Sequence, residues 1–189
     1  VVLHEASVKR DQLPRLAIRP YPTRYISQWT NPQGTPITFR PIRPEDEPAM
    51  IKFHETLSDR SVYLRYLRPM MLNQRVTHER LSRICFNDYD REIALVAEGE
   101  KQIMAVGRLS KTHDADIVRL TILVSDAFQG HGLGTELVQR LLDVARGEKI
   151  CRVLANISQD NHAMQGLCQK LGFHLNPPAD GMVIAQIDL

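Results

Sequence analysis

A glycine-rich run, Gln129-Gly130-His131-Gly132-Leu133-Gly134-Thr135, lies between an apolar stretch ending near Val124 and an amphipathic stretch over 132–146. Three glycines at alternate positions leave the main chain bare where a ligand could approach it closely. The first amides of a helix have no intrahelical acceptor and carry partial positive charge. A turn of this composition that feeds a helix can cradle a diphosphate through main-chain N–H groups, without a lysine. The run lacks the Gly-Lys-Ser/Thr ending of a Walker loop, and its Gly-x-Gly-x-Gly period differs from the GxGxxG dinucleotide fingerprint. Other reactive groups are sparse. Cys85, Cys151 and Cys168 are odd in number, far apart and without a CxxC pair, so they read as reduced, mostly buried thiols. The seven histidines are scattered with no HxxxH spacing, and no metal is expected.

Gln129, Gly132 and Gly134 fit the spacing Q/R-x-x-G-x-G/A, and Asn161-x-x-Met164-x-x-Leu167-x-x-Lys170-Leu171-Gly172-Phe173 follows further along. Together these resemble the signature loop and late helix of the GNAT acetyltransferases, over about 37–189. The resemblance implies an α/β (α+β) GNAT fold, a mixed central sheet of about seven strands with flanking helices, and acetyl-CoA as co-substrate. It assigns the pyrophosphate to Gln129, Gly130, His131, Gly132, Leu133, Gly134 and Thr135. It also implies that two central strands splay apart, so that backbone near Leu123 and Val124 pairs with the pantetheine arm. An amide there would polarise the thioester carbonyl, with Asn161 approaching from the other wall. Taken from its residue type alone, His131 reads as a solvated loop histidine rather than a phosphate contact.

A closer resemblance is to bacterial Pat-type protein lysine acetyltransferases, in which a GNAT domain follows an acyl-CoA-synthetase-like region. It is carried by Phe39-Arg40-Pro41-Ile42-Arg43-Pro44-Glu45-Asp46-Glu47, Leu64-Arg65-Tyr66 and Asn87-Asp88-Tyr89-Asp90-Arg91-Glu92. Leu16-Ala17-Ile18-Arg19-Pro20-Tyr21-Pro22 looks like the tail of that preceding region, which makes 1–36 an extension and 37–189 the transferase domain. The resemblance implies acetyl transfer to an amine, with a protein lysine as the expected acceptor. A lysine amine, of reference pKa about 10.4, must lose a proton before it attacks. Pat-type enzymes assign this task to a glutamate ten residues before the loop's Gln/Arg. That position is Arg119 here, and arginine stays protonated. The tyrosine that many GNAT enzymes use as a general acid corresponds to Cys168. Three accounts stay open. Asp116, Asp114, Asp88 or Glu92 acts through water; Arg119 recruits an acidic acceptor through its guanidinium fork; or the domain is a weakly catalytic acyl-CoA-binding regulator. A small-molecule amine is the other acceptor class.

Periodicity supplies the elements that must position these residues. Prolines 14, 20, 22, 32 and 36 break any helix in the first 36 residues, and a β-hairpin is expected over 23–43 about Asn31-Pro32-Gln33-Gly34. A strand follows over Ile37–Ile42. Pro44-Glu45-Asp46-Glu47 then opens a helix with Met50, Ile51, Phe53 and Leu57 inward. Ser58 caps a second helix and Thr77 begins a third. Strands are expected over 92–97, 102–109, 116–124 and 150–157, helices over 132–146 and 161–171, and two short final strands about Asp180-Gly181. On 116–124, Val118, Leu120, Ile122 and Val124 form a core face, while Arg119, Thr121 and Leu123 face a cleft. Arg60, Arg65, Arg68, Arg75, Arg80 and Arg83 read as a solvated helix face.

The whole chain agrees with an ordinary globular protein: 189 residues, 43% hydrophobic and 24% charged. A formal net charge of +2 gives no global field for nucleic acid. No apolar run approaches the roughly 18 residues needed to span a bilayer, and Val1–Arg19 lacks a signal peptide's apolar segment. A cytoplasmic protein is expected, with oligomeric state open.

Overall fold

The computed structural model describes residues 19–114 and 116–189. Residues 1–18, including Leu16, Ala17 and Ile18 of the segment read as a preceding region's tail, lie outside the described residues. Strand β1 (Ser27–Thr30) turns back antiparallel onto β2 (Pro36–Pro41), as the turn residues demand. The Asn31 carboxamide oxygen accepts from the amides of Gln33 and Thr35 at 3.1 and 2.7 Å, and Gly34 supplies a φ of 84°.

Four helices follow before the next strand: α1 (Glu47–Glu55), α2 (Asp59–Tyr66), α3 (Leu72–Arg75) and α4 (His78–Cys85). Ser58 caps α2 as expected, its hydroxyl accepting from the Ser61 amide. The four-residue α3 carries no periodicity and was not anticipated. Then come β3 (Glu92–Gly99), β4 (Gln102–Lys111), β5 (Ile117–Val124), α5 (Leu133–Gly147), β6 (Arg152–Ser158), α6 (His162–Lys170), β7 (His174–Leu175) and β8 (Met182–Asp188). They build one eight-stranded sheet in the order β1-β2-β3-β4-β5-β6-β8-β7. Only β5 and β6 pair in parallel, so the sheet is mixed, and β1 with β2 forms the hairpin expected over 23–43.

Each face of the sheet has its own core. On one, the α5 stripe Leu133, Leu137, Leu141 and Val144 is buried against residues such as Leu95, Ala105 and Leu120. Each such side chain contributes about 1.5–3 kcal/mol. The contact is close: a Cβ at Gly107 would come within 2.6 Å of Leu141 Cδ1. On the other face, Met50, Phe53, Val62, Leu81 and Cys85 from α1, α2 and α4 cover Ala94, Val96 and Ile103.

Three readings of the sequence need correction. Leu123 does not simply face a cleft; it is 8% exposed and belongs to the second core. Cys151 is exposed, although Cys85 and Cys168 are buried. The arginine cluster is not a solvated helix face, because Arg75 is 4% exposed and donates to the His54 carbonyl oxygen at 3.1 Å. Arginine stems are apolar enough to be drawn inward when the head finds a partner, and helical spacing alone does not reveal that.

The segment before β1 packs onto the domain. Arg19 bridges Glu148 at 2.7 Å and Asp90 at 3.0 Å, and the Tyr25 hydroxyl donates to Glu148 at 2.8 Å. Burial opposes ionisation of Glu148, yet hydrogen bonds from Arg19 and Tyr25 and the Arg19 charge hold its carboxyl below the usual range.

Candidate active site

Parallel pairing of β5 with β6 is brief. Ile117, Val118 and Arg119 face Arg152, Val153 and Leu154, and no further pairs form. β6 continues beside β8 as far as Ser158, so β5 and β6 diverge beyond Arg119 and a cleft opens between them. The direction of the β5 peptide groups follows from two bonds. The Thr112 amide donates to the Ile117 carbonyl oxygen and the Ser125 amide to the Met104 carbonyl oxygen, so odd-numbered residues face β4. Peptide groups alternate along a strand. Those of Ile122 and Val124 therefore turn toward the cleft, and that of Leu123 is committed to β4.

The glycine loop closes the wide end of the cleft. Gly130 and Gly132 have φ of 77° and 85°, and a Cβ on either would meet nothing within 4 Å. These two positions require glycine for conformation and leave open space above the loop. Gly134 differs: its Cβ would lie 3.4 Å from Leu167 and 3.6 Å from Val124, in ordinary van der Waals contact. From Gly130 through Thr135 no main-chain amide has an acceptor among the described residues, and the first helical bond is Glu136 N–H to the Gly132 carbonyl. Six successive free donors at a helix start are an arrangement suited to an anion. Leu133 is buried beneath it, whereas His131 is exposed.

Gln129 holds the loop in place. Its Nε2 donates to the Val124 carbonyl oxygen at 3.0 Å and to Ser61 Oγ at 3.1 Å. Ser61 Oγ in turn donates to Asp126 at 2.7 Å, and Asp126 also accepts from the Ser58 amide at 2.7 Å and hydroxyl at 2.9 Å. Burial opposes it, but the hydrogen bonds from Ser61 and Ser58 keep the Asp126 carboxyl below its usual range. This docks the start of α2 onto the loop. Ser58, Ser61 and Asp126 were not picked out from sequence as site residues, and only the long-range contact reveals them.

Across the cleft, Asn161 caps α6. Its Oδ1 accepts from the Met164 amide at 3.1 Å, which leaves its NH2 as a donor. Gln129, Gly130, Gly132, Gly134, Thr135 and Asn161 all border one cavity of about 910 Å3, together with Leu123, Val124 and Arg119. Cys168 lies in the core instead, and burial pushes its thiol up to about 12.

A second cavity, of about 830 Å3, lies on the opposite face beneath α1, α2 and α4. The two share Arg65, Tyr66, Thr121 and Leu123, so they meet across the edge of β5. Glu92 borders the second cavity, ion-paired with Arg108 and accepting from Ser110 Oγ at 2.8 Å. Asp88, Asp114 and Asp116 border neither. Asp116 sits at the exposed turn into β5, where its carbonyl oxygen accepts from the amides of Cys151 and Arg152. Arg119 is exposed at the narrow end of the first cavity and forms no ion pair among the described residues.

A splayed parallel pair with a free amide loop at its mouth is the geometry expected from the loop and late-helix motifs, and the family model for the acetyltransferase (GNAT) domain matches residues 37–174. The chain belongs to the GNAT acetyltransferase family. A curated Pseudomonas aeruginosa relative, acetyltransferase PA5475, is 28% identical over 144 residues, covering 74% of this chain and 76% of the relative. The GNAT domain of S. lividans PAT is similar at 26% identity and a TM-score of 0.83, over 90% of this chain and all of that one. Mycobacterium smegmatis RimJ, solved in complex with CoA-disulfide, shares the fold at a TM-score of 0.69 and 17% identity, over 86% of each chain. The GNAT assignment makes this chain an acetyltransferase. No helix among the described residues is long and apolar enough to cross a membrane.

Proposed function

We propose that this GNAT domain transfers the acetyl group of acetyl-CoA to a primary amine. The observation that carries the reading is the run of free amides from Gly130 to Thr135 beside the unpaired edge of β5. The amide run suits a diphosphate, and the Ile122 and Val124 peptide groups suit an extended amide-bearing arm lying along a strand edge. The space above Gly130 and Gly132, which a Cβ would enter, fits the same cofactor. RimJ, which shares the fold, was solved in complex with CoA-disulfide, and this supports a coenzyme A thioester as the donor. Acetyl-CoA supplies a thioester whose carbonyl carbon accepts the amine.

The amine would reach that carbon from the second cavity, past Thr121. The amine nitrogen bonds to the acetyl carbon, the C–S bond breaks, and the thiol takes up a proton as the ammonium's proton leaves. Donation from the Val124 or Ile122 amide stabilises the oxyanion formed on the way. Glu92 is the candidate proton acceptor, through water, because among the four carboxylates weighed it alone borders the acceptor-side cavity. Arg119, at the narrow end of the cleft, cannot act as the base. The Pat-type resemblance makes a protein lysine the first acceptor class to test. The size of the second cavity also favours a free small amine. Residues 37–189 are read as the transferase domain and 1–36 as an extension.

Isotope-labelled acetyl-CoA, offered with lysine peptides and a panel of small amines, tests the reading. Transfer to at least one amine is expected; coenzyme A binding with no transfer to any acceptor would remove the catalytic claim.

A further inference from the structure

The second cavity contains more positive charge than the fold can use. Five arginines border it: Arg65, Arg68, Arg80, Arg83 and Arg108. Its two glutamates are already taken, Glu92 by Arg108 and Glu79 by Arg83. Arg65, Arg68 and Arg80 have no carboxylate partner among the described residues. Two of them gather at one place, since the guanidinium carbons of Arg65 and Arg80 lie 5.0 and 4.9 Å from the same Tyr66 ring centroid. The ring offsets part of their repulsion, yet like charges drawn together from α2 and α4 invite an anion between them.

The polar atoms at the cavity wall point the same way. Arg80 Nε is buried without an acceptor. His54, 1% exposed, borders the cavity with both ring nitrogens unpartnered. Burial first, and then the charges of Arg75, Arg80 and Arg65, push the imidazole down to about 4, so it stays neutral and offers one N–H. Unpartnered buried donors are uncommon in native proteins and ask for an explanation. An oxyanion supplies several acceptors at once, and a guanidinium fork fits a carboxylate or phosphate in a bidentate manner.

We propose that this cavity binds an oxyanion carried by the acceptor, a carboxylate or phosphate held between Arg65, Arg80 and Arg68, so that the preferred acceptor is an anionic amine. This rests on the acetyltransferase reading for the reaction, but the binding site itself does not. The acetyl end lies toward Thr121 and the anion toward α4, so one molecule would present its amine to β5 and its negative end to the arginines.

Matched pairs test it: 4-aminobutyrate against butylamine, O-phosphoethanolamine against ethanolamine, and lysine peptides with acidic against neutral flanks. The expected result is a kcat/KM at least tenfold higher for the anionic member of the small-molecule pairs. The preference should shrink toward unity in both Arg80→Gln and Arg68→Gln, while the Kd for acetyl-CoA stays as in the parent. A preference confined to the peptides would assign the oxyanion to a protein acceptor. Equal kcat/KM within every pair, or a preference indifferent to both substitutions, overturns the proposal. If no amine is acetylated, the reaction reading fails separately. O-phosphoethanolamine should then still raise the Tm of the parent and not that of Arg68→Gln, whose side chain is exposed and whose circular dichroism should match the parent's; no rise in the parent overturns the site.

Discussion

The Gln129 carboxamide donates to the Val124 carbonyl oxygen at 3.0 Å and thereby clamps the entrance of the glycine loop to the free edge of β5. That carbonyl belongs to a peptide group turned toward the cleft, so the loop's position and the strand's usable edge are set by one bond. Gln129→Ala breaks the clamp without touching the loop amides. A hydrogen bond contributes about 0.5–1.5 kcal/mol net, so coenzyme A affinity should fall roughly three- to tenfold by calorimetry. An unchanged Kd would show that the loop holds its shape unaided.

Gly132 separates conformation from crowding. Its φ is 85° and a Cβ would meet no atom within 4 Å, so Gly132→Ala costs only the left-handed backbone, about 1–2 kcal/mol. Urea unfolding should report that loss. Coenzyme A binding should weaken by tenfold or more, because relaxation of φ turns the neighbouring amides away from a common point. Loss of stability with full binding would mean that the amide run is not the diphosphate site.

Arg119 stands at the narrow end of the cleft, in the position where the resemblance expects a base, and cannot act as one. Arg119→Glu adds a carboxylate at an exposed position with no ion pair to break. A positioned general base is worth about 10^2-fold or more, and kcat near pH 7 with a lysine acceptor should rise by at least tenfold. A fall in kcat instead would mark Arg119 as a contributor to acceptor binding.

Glu92 is the counterpart on the acceptor side. Glu92→Gln removes the carboxylate and keeps its shape, and kcat should drop by about 10^2-fold. The same change leaves Arg108 half-buried with its carbonyl contact to Ile84 at 2.9 Å but without its ion pair, so circular dichroism must accompany the kinetics. An unaltered kcat would move the proton elsewhere.

His54 makes stability depend on pH. Burial, with Arg75, Arg80 and Arg65 nearby, lowers its folded-state value to about 4, against about 6.5 when unfolded. Between those values the unfolded chain binds a proton that the folded chain does not, so stability falls as pH drops from about 6.5 to about 4. The loss approaches about 3 kcal/mol and levels off below that window. Urea midpoints across the range should slope accordingly, and His54→Leu, which cannot take up a proton, should remove that part of the slope.

What the sequence determined by itself is local. The turn Asn31-Pro32-Gln33-Gly34, the Ser58 cap, the α5 stripe and the glycine loop between a strand and a helix all follow from residue types within a few positions of one another. The GNAT motifs, too, were legible because the amides that carry them are consecutive in the chain. Tertiary structure decided the rest. Only the sheet shows β5 leaving β6 after Arg119, because strand divergence depends on pairing with a partner over thirty residues away. Only packing buried Arg75 and drew Arg65 and Arg80 to one tyrosine from two helices, where periodicity read a solvated face. Glu92 rather than Asp116 borders a cavity for the same reason. Hydrophobic periodicity reports which side of an element avoids water, but not which other element supplies the cover or which charges are enclosed with it.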